Sequence, residues 1–326
     1  MKWCPLFFFL MTASLPIHAQ QVPPGIPQPV YLWPNGVPGA LGHSESDIPR
    51  LYPFLPKKRS TSTAVLVIPG GGYQIVAIGH EGFQIARWLN AQGLPAFVLD
   101  YRVTPYRYPA EIEDGERAMR LIRAHAAAYG IDPNRLGVWG SSAGGHLAST
   151  IGTHCDQDPV PLAHPDAVDK LSCRPAFMIL AYPVIGMTPP VTHMGSREFL
   201  LGPHPDPALE HDLSNQYQVT DKTPPTFLFA TSYDPVVPVE NSLDFYRALV
   251  DHHVPAEAHF YDYSNHGCGL CGSIQPLSTW PMLLRNWLVQ LGWIPPDAPP
   301  PPPPAPNIPV WIPGLKGPGE PAPAPQ

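Results

Sequence analysis

Charged residues are scarce in this 326-residue sequence, where Asp, Glu, Lys and Arg together account for 14%. The formal net charge is −7 and no basic patch stands out, which disfavours a nucleic-acid or anionic-membrane partner. No apolar run reaches the roughly 20 residues that a transmembrane helix needs, so stable membrane insertion is not expected. The 27 glycines follow no Gly-x-y period, which excludes a collagen-like chain. Because 44% of the residues are hydrophobic, most of the chain can bury a core.

The two ends differ in composition from the middle. Residues 1–19 combine Lys2, a short apolar stretch and the small residue Ala19, a pattern typical of a secretory signal peptide. We therefore expect a secreted or periplasmic protein. Residues 295–326 are rich in proline, which fixes φ and lacks an amide donor. They are predicted to form a disordered, polyproline-II-like tail with no identified partner, which leaves 20–294 as the folded domain.

Cysteine is rare, and four of the five cysteines follow the predicted signal peptide: Cys155, Cys173, Cys268 and Cys271. An oxidising compartment permits disulfides between them. Four cysteines allow three connectivities, and the sequence does not choose among them.

Between residues 64 and 291, short apolar segments alternate with helical patterns. Strands are predicted at 64–68, 96–99, 136–139, 177–181, 227–230 and 257–263. Helices are predicted at 80–92, 109–129, from about 143, at 243–250 and at 283–291. Residues 186–224 are polar, proline-rich and aperiodic, and are interpreted as an insertion or cap. The alternation predicts an α/β fold, with a mostly parallel central sheet and helices on both faces.

A candidate nucleophile follows the predicted strand at 136–139. The segment Gly140-Ser141-Ser142-Ala143-Gly144 contains the Gly-x-Ser-x-Gly pattern centred on Ser142 rather than Ser141. A nucleophile on a sharp strand-to-helix turn needs small neighbours, because the turn is strained and tightly packed. In this context the pattern indicates a catalytic serine.

A serine hydroxyl needs a base, and the base needs an orienting acid. In α/β hydrolases the acid and then the histidine follow the serine along the chain. Asp234 comes after the predicted strand at 227–230, and His266 lies in a loop after the last predicted strand. Because carboxyl ends of parallel strands meet at one edge, we expect Asp234 and His266 to complete a triad with Ser142.

An oxyanion site is predicted beside this triad. The strand at 64–68 is followed by Pro69-Gly70-Gly71-Gly72-Tyr73, similar to the His-Gly-Gly-Gly element of hydrolases but with proline in place of histidine. A glycine run lets main-chain amides converge on one ligand atom. The predicted donors are the amides of Gly71, Gly72 and Ala143.

These motifs, in this order, resemble the α/β-hydrolase superfamily. Within it they are similar to bacterial secreted acetyl-esterase-like hydrolases, related to hormone-sensitive-lipase-type and acetylxylan esterases. The matching segments lie at 32–40, 69–73, 80–82, 99–102, 130–135, 140–146, 234–238 and 266–267. The resemblance implies an α/β-hydrolase fold and hydrolysis of short-chain acetyl esters, with carbohydrate esters or small molecules as substrates. Two departures are Tyr233, where relatives often carry a second Asp, and the cysteines 268 and 271 just beyond the base.

The sequence thus predicts a serine carboxylesterase that works through an acyl-enzyme. Neither a metal nor an organic cofactor is expected. One alternative is a serine peptidase of the prolyl-oligopeptidase type, which the absence of a strand-rich propeller before residue 64 disfavours. Another is a non-catalytic hydrolase-fold binding module, which the complete set of triad residues disfavours.

Overall fold

The computed structural model describes residues 25–155 and 165–303. The predicted signal peptide, and the tail beyond residue 303, lie outside these residues. Within them, the strands are β1 Val30–Tyr31, β2 Arg50–Phe54, β3 Ala64–Ile68, β4 Ala96–Asp100, β5 Leu136–Ser141, β6 Met178–Ala181, β7 Thr226–Thr231 and β8 Ala256–Tyr261. The helices are α1 Gln84–Ala91, α2 Ala110–Ala124, α3 Ala126–Tyr129, α4 Ala143–His154, α5 Met194–Leu201, α6 Pro207–Asp212, α7 Glu240–Asp251 and α8 Trp280–Gln290.

The strands form one sheet in the order β1-β2-β4-β3-β5-β6-β7-β8. From β4 to β8 neighbouring strands are parallel, whereas β2 is antiparallel to both β1 and β4. This confirms the predicted α/β class and the mostly parallel sheet. The sequence analysis did not predict β1 and β2. Pro53 within β2 has no amide to donate to a sheet ladder, so this segment does not have the composition of an internal strand.

Both faces of the sheet are covered, since every residue of β3 to β7 is buried and most of them are apolar. Leu66 on β3 packs in one core together with Leu147 of α4, while the adjacent Val67 packs in a second core with Trp88 of α1. Successive side chains of a strand point to opposite faces, so a strand buried on both sides has no polar alternation. This is why the short apolar runs could be recognised as strands.

Three predicted segments differ in detail from the structure. The helix predicted at 80–92 begins with a π-helical turn, Gly79–Phe83, and the one predicted at 109–129 is divided at His125. The aperiodic segment 186–224 contains the short helices α5 and α6. Its proline-rich composition and short elements obscure a helical period.

The described residues contain two disulfides: Cys155–Cys173, which joins the end of α4 to the segment before β6, and Cys268–Cys271, in the loop after β8. The beginning of the proline-rich segment contacts the domain, because Ala298 is buried and its carbonyl accepts a hydrogen bond from Arg285 Nη2. Among the described residues, no helix is both long and apolar enough to span a bilayer.

Candidate active site

Ser142 lies on the sharp turn between β5 and α4. Its backbone has φ 53° and ψ −123°, a left-handed conformation that a residue with a side chain rarely adopts. The turn is possible because its neighbours are small: a Cβ on Gly144 would lie 2.2 Å from the carbonyl oxygen of Ile68. The amide of Ser142 donates to the carbonyl of Ala181 on the adjacent strand (3.0 Å), which fixes the turn to the sheet.

The structure brings Ser142, His266 and Asp234 together at the carboxyl edge of the sheet. Ser142 Oγ lies 2.8 Å from His266 Nε2, and His266 Nδ1 lies 2.7 Å from Asp234 Oδ2. A carboxylate only accepts hydrogen bonds, so Nδ1 carries the proton and Nε2 presents a lone pair to the serine hydroxyl. The three side chains therefore form a continuous hydrogen-bonded chain in the order required to remove the proton from Ser142.

Asp234 is held by its own turn after β7. Its second oxygen, Oδ1, accepts from the amides of Val236 (2.8 Å) and Val237 (2.9 Å). The carboxyl group is 2% exposed, so solvent does not compete for the bond to His266. The next loop is fixed to β7, since Thr231 Oγ1 donates to the carbonyl of Asn265 (2.8 Å). Loops after neighbouring strands thus position the acid and the histidine.

The glycine loop after β3 lies directly against the nucleophile turn. A Cβ on Gly70 would come within 2.7 Å of Ser142 Cβ. Gly71 and Gly72 follow with φ values of +126° and +67°, which glycine adopts without strain. In the two described ranges, the amides of Gly71, Gly72 and Ala143 donate no hydrogen bond. Ala143 is also the first residue of α4, where the helix leaves amides unpaired.

A buried glutamate that the sequence analysis did not assign to the site connects these loops. Glu81 Oε2 accepts from the amide of Gly70 (2.8 Å), and its Oε1 accepts from the hydroxyl of Tyr182 (2.9 Å). The same hydroxyl accepts from the amide of Gly269 (2.7 Å), three residues after His266. The Tyr182 ring also packs edge-on against the His266 ring, with centroids 5.1 Å apart. One carboxylate therefore links the glycine loop to the histidine loop.

A second buried histidine lies one helical turn beyond Ser142. His146 Nε2 is 2.8 Å from the carbonyl of Leu213 and must donate to it, so Nδ1 accepts from the hydroxyl of Tyr73 (2.7 Å). Burial lowers the pKa of His146 to about 4. Tyr73 directly follows Gly72, so a buried histidine anchors the glycine loop to α4 through its hydrogen bond to the Tyr73 hydroxyl.

In residues 25–155 and 165–303, no group of three or more His, Cys, Asp or Glu side chains is arranged to hold a metal ion.

The fold and the strand-turn-helix that carries Ser142 define an α/β hydrolase. The family model described as BD-FAE matches residues 51–249, which is more than half of the chain. This protein therefore belongs to that family.

Among curated proteins, the chain is 34% identical to an acetylxylan esterase of Xylanibacter ruminicola over 252 residues, 76% of this chain and 49% of the relative. It is 38% identical to endo-1,4-beta-xylanase B of Butyrivibrio fibrisolvens over 226 residues, 68% of this chain and 34% of the relative. The chain thus spans about half the length of the first curated relative and a third of the second. Each of these relatives therefore contains further sequence outside the region that matches this chain.

Among solved structures, an acetyl ester-xyloside bifunctional hydrolase from Caldicellulosiruptor lactoaceticus is similar, with 42% identity and a TM-score of 0.76. The match covers 83% of this chain and 99% of the solved chain. The carboxylesterase Cest-2923 from Lactobacillus plantarum, at 24% identity and a TM-score of 0.63, shares the fold.

Proposed function

We propose that this protein is a serine carboxylesterase that removes acetyl groups from carbohydrate esters. The observation that carries the proposal is the hydrogen-bonded chain from Ser142 Oγ through His266 to Asp234. The substrate class is supported by the relatives, of which one is named for acetylxylan and another for an acetyl ester and a xyloside.

In the first half of the reaction, His266 Nε2 takes the proton of Ser142 as Oγ attacks the ester carbonyl carbon. Asp234 holds the ring in the correct tautomer and stabilises the imidazolium that forms. The amides of Gly71, Gly72 and Ala143 donate to the oxyanion. His266 then gives its proton to the leaving alcohol oxygen, the carbon–oxygen bond breaks, and acetyl-Ser142 remains.

In the second half, His266 takes a proton from a water molecule as the oxygen of that water attacks the carbonyl carbon of the acetyl group. The same amides stabilise the second oxyanion. The proton returns from His266 to Ser142 Oγ as acetic acid leaves. The net reaction consumes one ester and one water and gives one acid and one alcohol, so no redox partner is required.

Export from the cytoplasm is a further part of the proposal. It rests on the signal-peptide pattern of residues 1–19 and agrees with the two disulfides, because disulfides persist in oxidising compartments.

The test is release of acetate from acetylated xylo-oligosaccharides by the wild type and by Ser142→Ala. We expect the variant to lose turnover by about 10⁴-fold or more, because the acyl-enzyme cannot form. Ser141→Ala is the adjacent control: Ser141 is fully buried at the end of β5 and its hydroxyl borders Tyr182 rather than a reacting atom, so its variant should keep far more activity than Ser142→Ala. Equal rates for the wild type and Ser142→Ala would refute the mechanism, and turnover of peptide amides in place of esters would refute the substrate class.

A further inference from the structure

His193 lies at the start of α5, within the segment 186–224 that the sequence analysis interpreted as an insertion or cap. Its Nδ1 accepts a hydrogen bond from the amide of Ser196 (3.2 Å) and lies 2.8 Å from Ser196 Oγ. The imidazole thereby caps the N-terminus of the helix, a role usually filled by Ser, Thr, Asp or Asn. The capping contacts hold the ring in one orientation.

The same contacts determine which ring nitrogen carries the proton. Since the amide of Ser196 can only donate, Nδ1 must be the unprotonated nitrogen and Nε2 must bear the hydrogen. Among the described residues, Nε2 has no hydrogen-bond partner. Burial, and to a lesser extent the nearby His266, lower the pKa of His193, while Asp234 raises it; the net lowering favours the neutral ring and this tautomer. His193 therefore presents one fixed, unused N–H donor.

The ring lies close to both sides of the proposed reaction centre. Its Cε1 is 3.9 Å from the position that a Cβ on Gly72 would take, which places it beside the glycine loop. The pKa of His193 is affected by both His266, which lowers it, and Asp234, which raises it, so the ring lies within electrostatic range of both. The side chain is half-buried, so a ligand can reach it.

The location suggests which part of the ester it meets. The carbonyl oxygen is directed to the amides of the glycine loop, and the alcohol oxygen must face His266, which protonates it. A donor that lies near both the glycine loop and His266 is therefore next to the alcohol portion of the substrate. A sugar carries hydroxyl oxygens beside its acetylated position, and these accept hydrogen bonds from an imidazole N–H.

We infer that His193 is a specificity-determining residue whose Nε2–H donates to an oxygen of the sugar alcohol next to the acetyl ester. The inference rests on the proposed function and adds to it a residue that selects the alcohol.

The test compares two substrates, an acetylated methyl xyloside and p-nitrophenyl acetate, whose alcohol carries no neighbouring hydroxyl. His193→Asn is the informative variant, because the Asn side-chain oxygen takes the place of Nδ1 and preserves the helix cap but lacks the Nε2 donor. We expect kcat/KM for the xyloside to fall about tenfold, as for loss of one hydrogen bond, while kcat/KM for p-nitrophenyl acetate stays within about threefold. His193→Gln, whose amide nitrogen can reach the position of Nε2, should recover part of the xyloside activity.

An equal loss on both substrates would show that His193 has only a structural role, and no loss on either would show that it has no role in selection. Either result overturns the inference while leaving the esterase proposal intact, provided that the wild type releases acetate and Ser142→Ala does not. If the wild type shows no Ser142-dependent release of acetate, the proposed function fails and the inference fails with it. A thermal unfolding midpoint close to that of the wild type confirms that His193→Asn is folded.

Discussion

The two sides of Ser142 each carry a histidine, but the surroundings of the two rings differ. On one side His266 is 13% exposed and its Nδ1 meets the carboxylate of Asp234. On the other side His146 is fully buried, and its Nε2 meets the uncharged carbonyl of Leu213. A carboxylate stabilises an imidazolium, whereas a lone carbonyl in an apolar core does not compensate the charge.

The two rings differ in the group that accepts their N–H: a carboxylate for His266 Nδ1 and a carbonyl for His146 Nε2. This partner determines whether the ring can hold a positive charge. In the proposed mechanism His266 takes a proton from Ser142, and the resulting charge is paired with Asp234. His146, with its pKa lowered to about 4 by burial, stays neutral and serves as a hydrogen-bonding strut between α4 and the glycine loop. In this proposal His266 acts as the base, and His146 only holds the glycine loop against α4.

The largest effect is expected from Asp234→Asn, which removes the charge that distinguishes the His266 side. The new amide can donate to Nδ1, which moves the ring proton to Nε2 and blocks acceptance of the Ser142 proton. We expect kcat to fall by about 10³- to 10⁴-fold with little change in the unfolding midpoint, measured with p-nitrophenyl acetate. A fall of less than tenfold would mean that the carboxylate is not what makes His266 different from His146.

The second prediction concerns the pH dependence of stability. Glu111 is a buried residue on the His146 side of Ser142, near Tyr73 and Tyr101. Unlike Asp234, neither of its oxygens has a hydrogen-bond partner among the described residues, and burial raises its pKa to about 8. The folded state therefore holds a proton that the unfolded chain releases above its ordinary pKa of 4.5. Stability from this group is complete below that value and is lost as the pH rises through about 8.

Urea denaturation at pH 5 and pH 8 measures this loss. Glu111→Gln should reduce the difference in unfolding free energy between the two pH values by about 3 kcal/mol. An unchanged pH dependence in the variant would show that Glu111 is ionised in the folded protein. The carboxyl group would then carry a buried charge beside Tyr73 and Tyr101.

A smaller effect is expected from His146→Ala. The substitution leaves the Leu213 carbonyl and the Tyr73 hydroxyl without their buried partner, which we expect to lower the unfolding free energy by about 2 kcal/mol. Turnover should fall far less than in Asp234→Asn, because His146 touches no reacting atom. The opposite pattern, with turnover abolished and stability unchanged, would assign His146 to the chemistry and reverse the comparison.

The sequence was informative where function depends on local patterns. Ser142 was predicted from its small neighbours and its place between an apolar strand and a helix. Asp234 and His266 were predicted because parallel strands end at the same edge, so loops far apart in the chain meet there. The structure brings all three side chains together.

The supporting residues could not be predicted in the same way. Glu81 lies in a π-helical turn, and its partners Gly70 and Tyr182 are 11 and 101 positions away. Its segment 80–82 is among those that carry the family resemblance, but nothing in the local sequence indicates these hydrogen-bond partners. His193 lies within the proline-rich, aperiodic segment 186–224, so no local pattern indicates that its ring approaches Gly72. β2 was missed because Pro53 contradicts the usual pattern of a strand.

The central claim is that the surroundings on the His266 side make Ser142 nucleophilic. The most direct measurement is labelling with a fluorophosphonate probe at pH 7, with the modified peptide identified by mass spectrometry. The account predicts a single label on Ser142 in the wild type and in His146→Ala, and none in His266→Ala. A label on Ser141 or elsewhere, or equal labelling of Ser142 with and without His266, would contradict it.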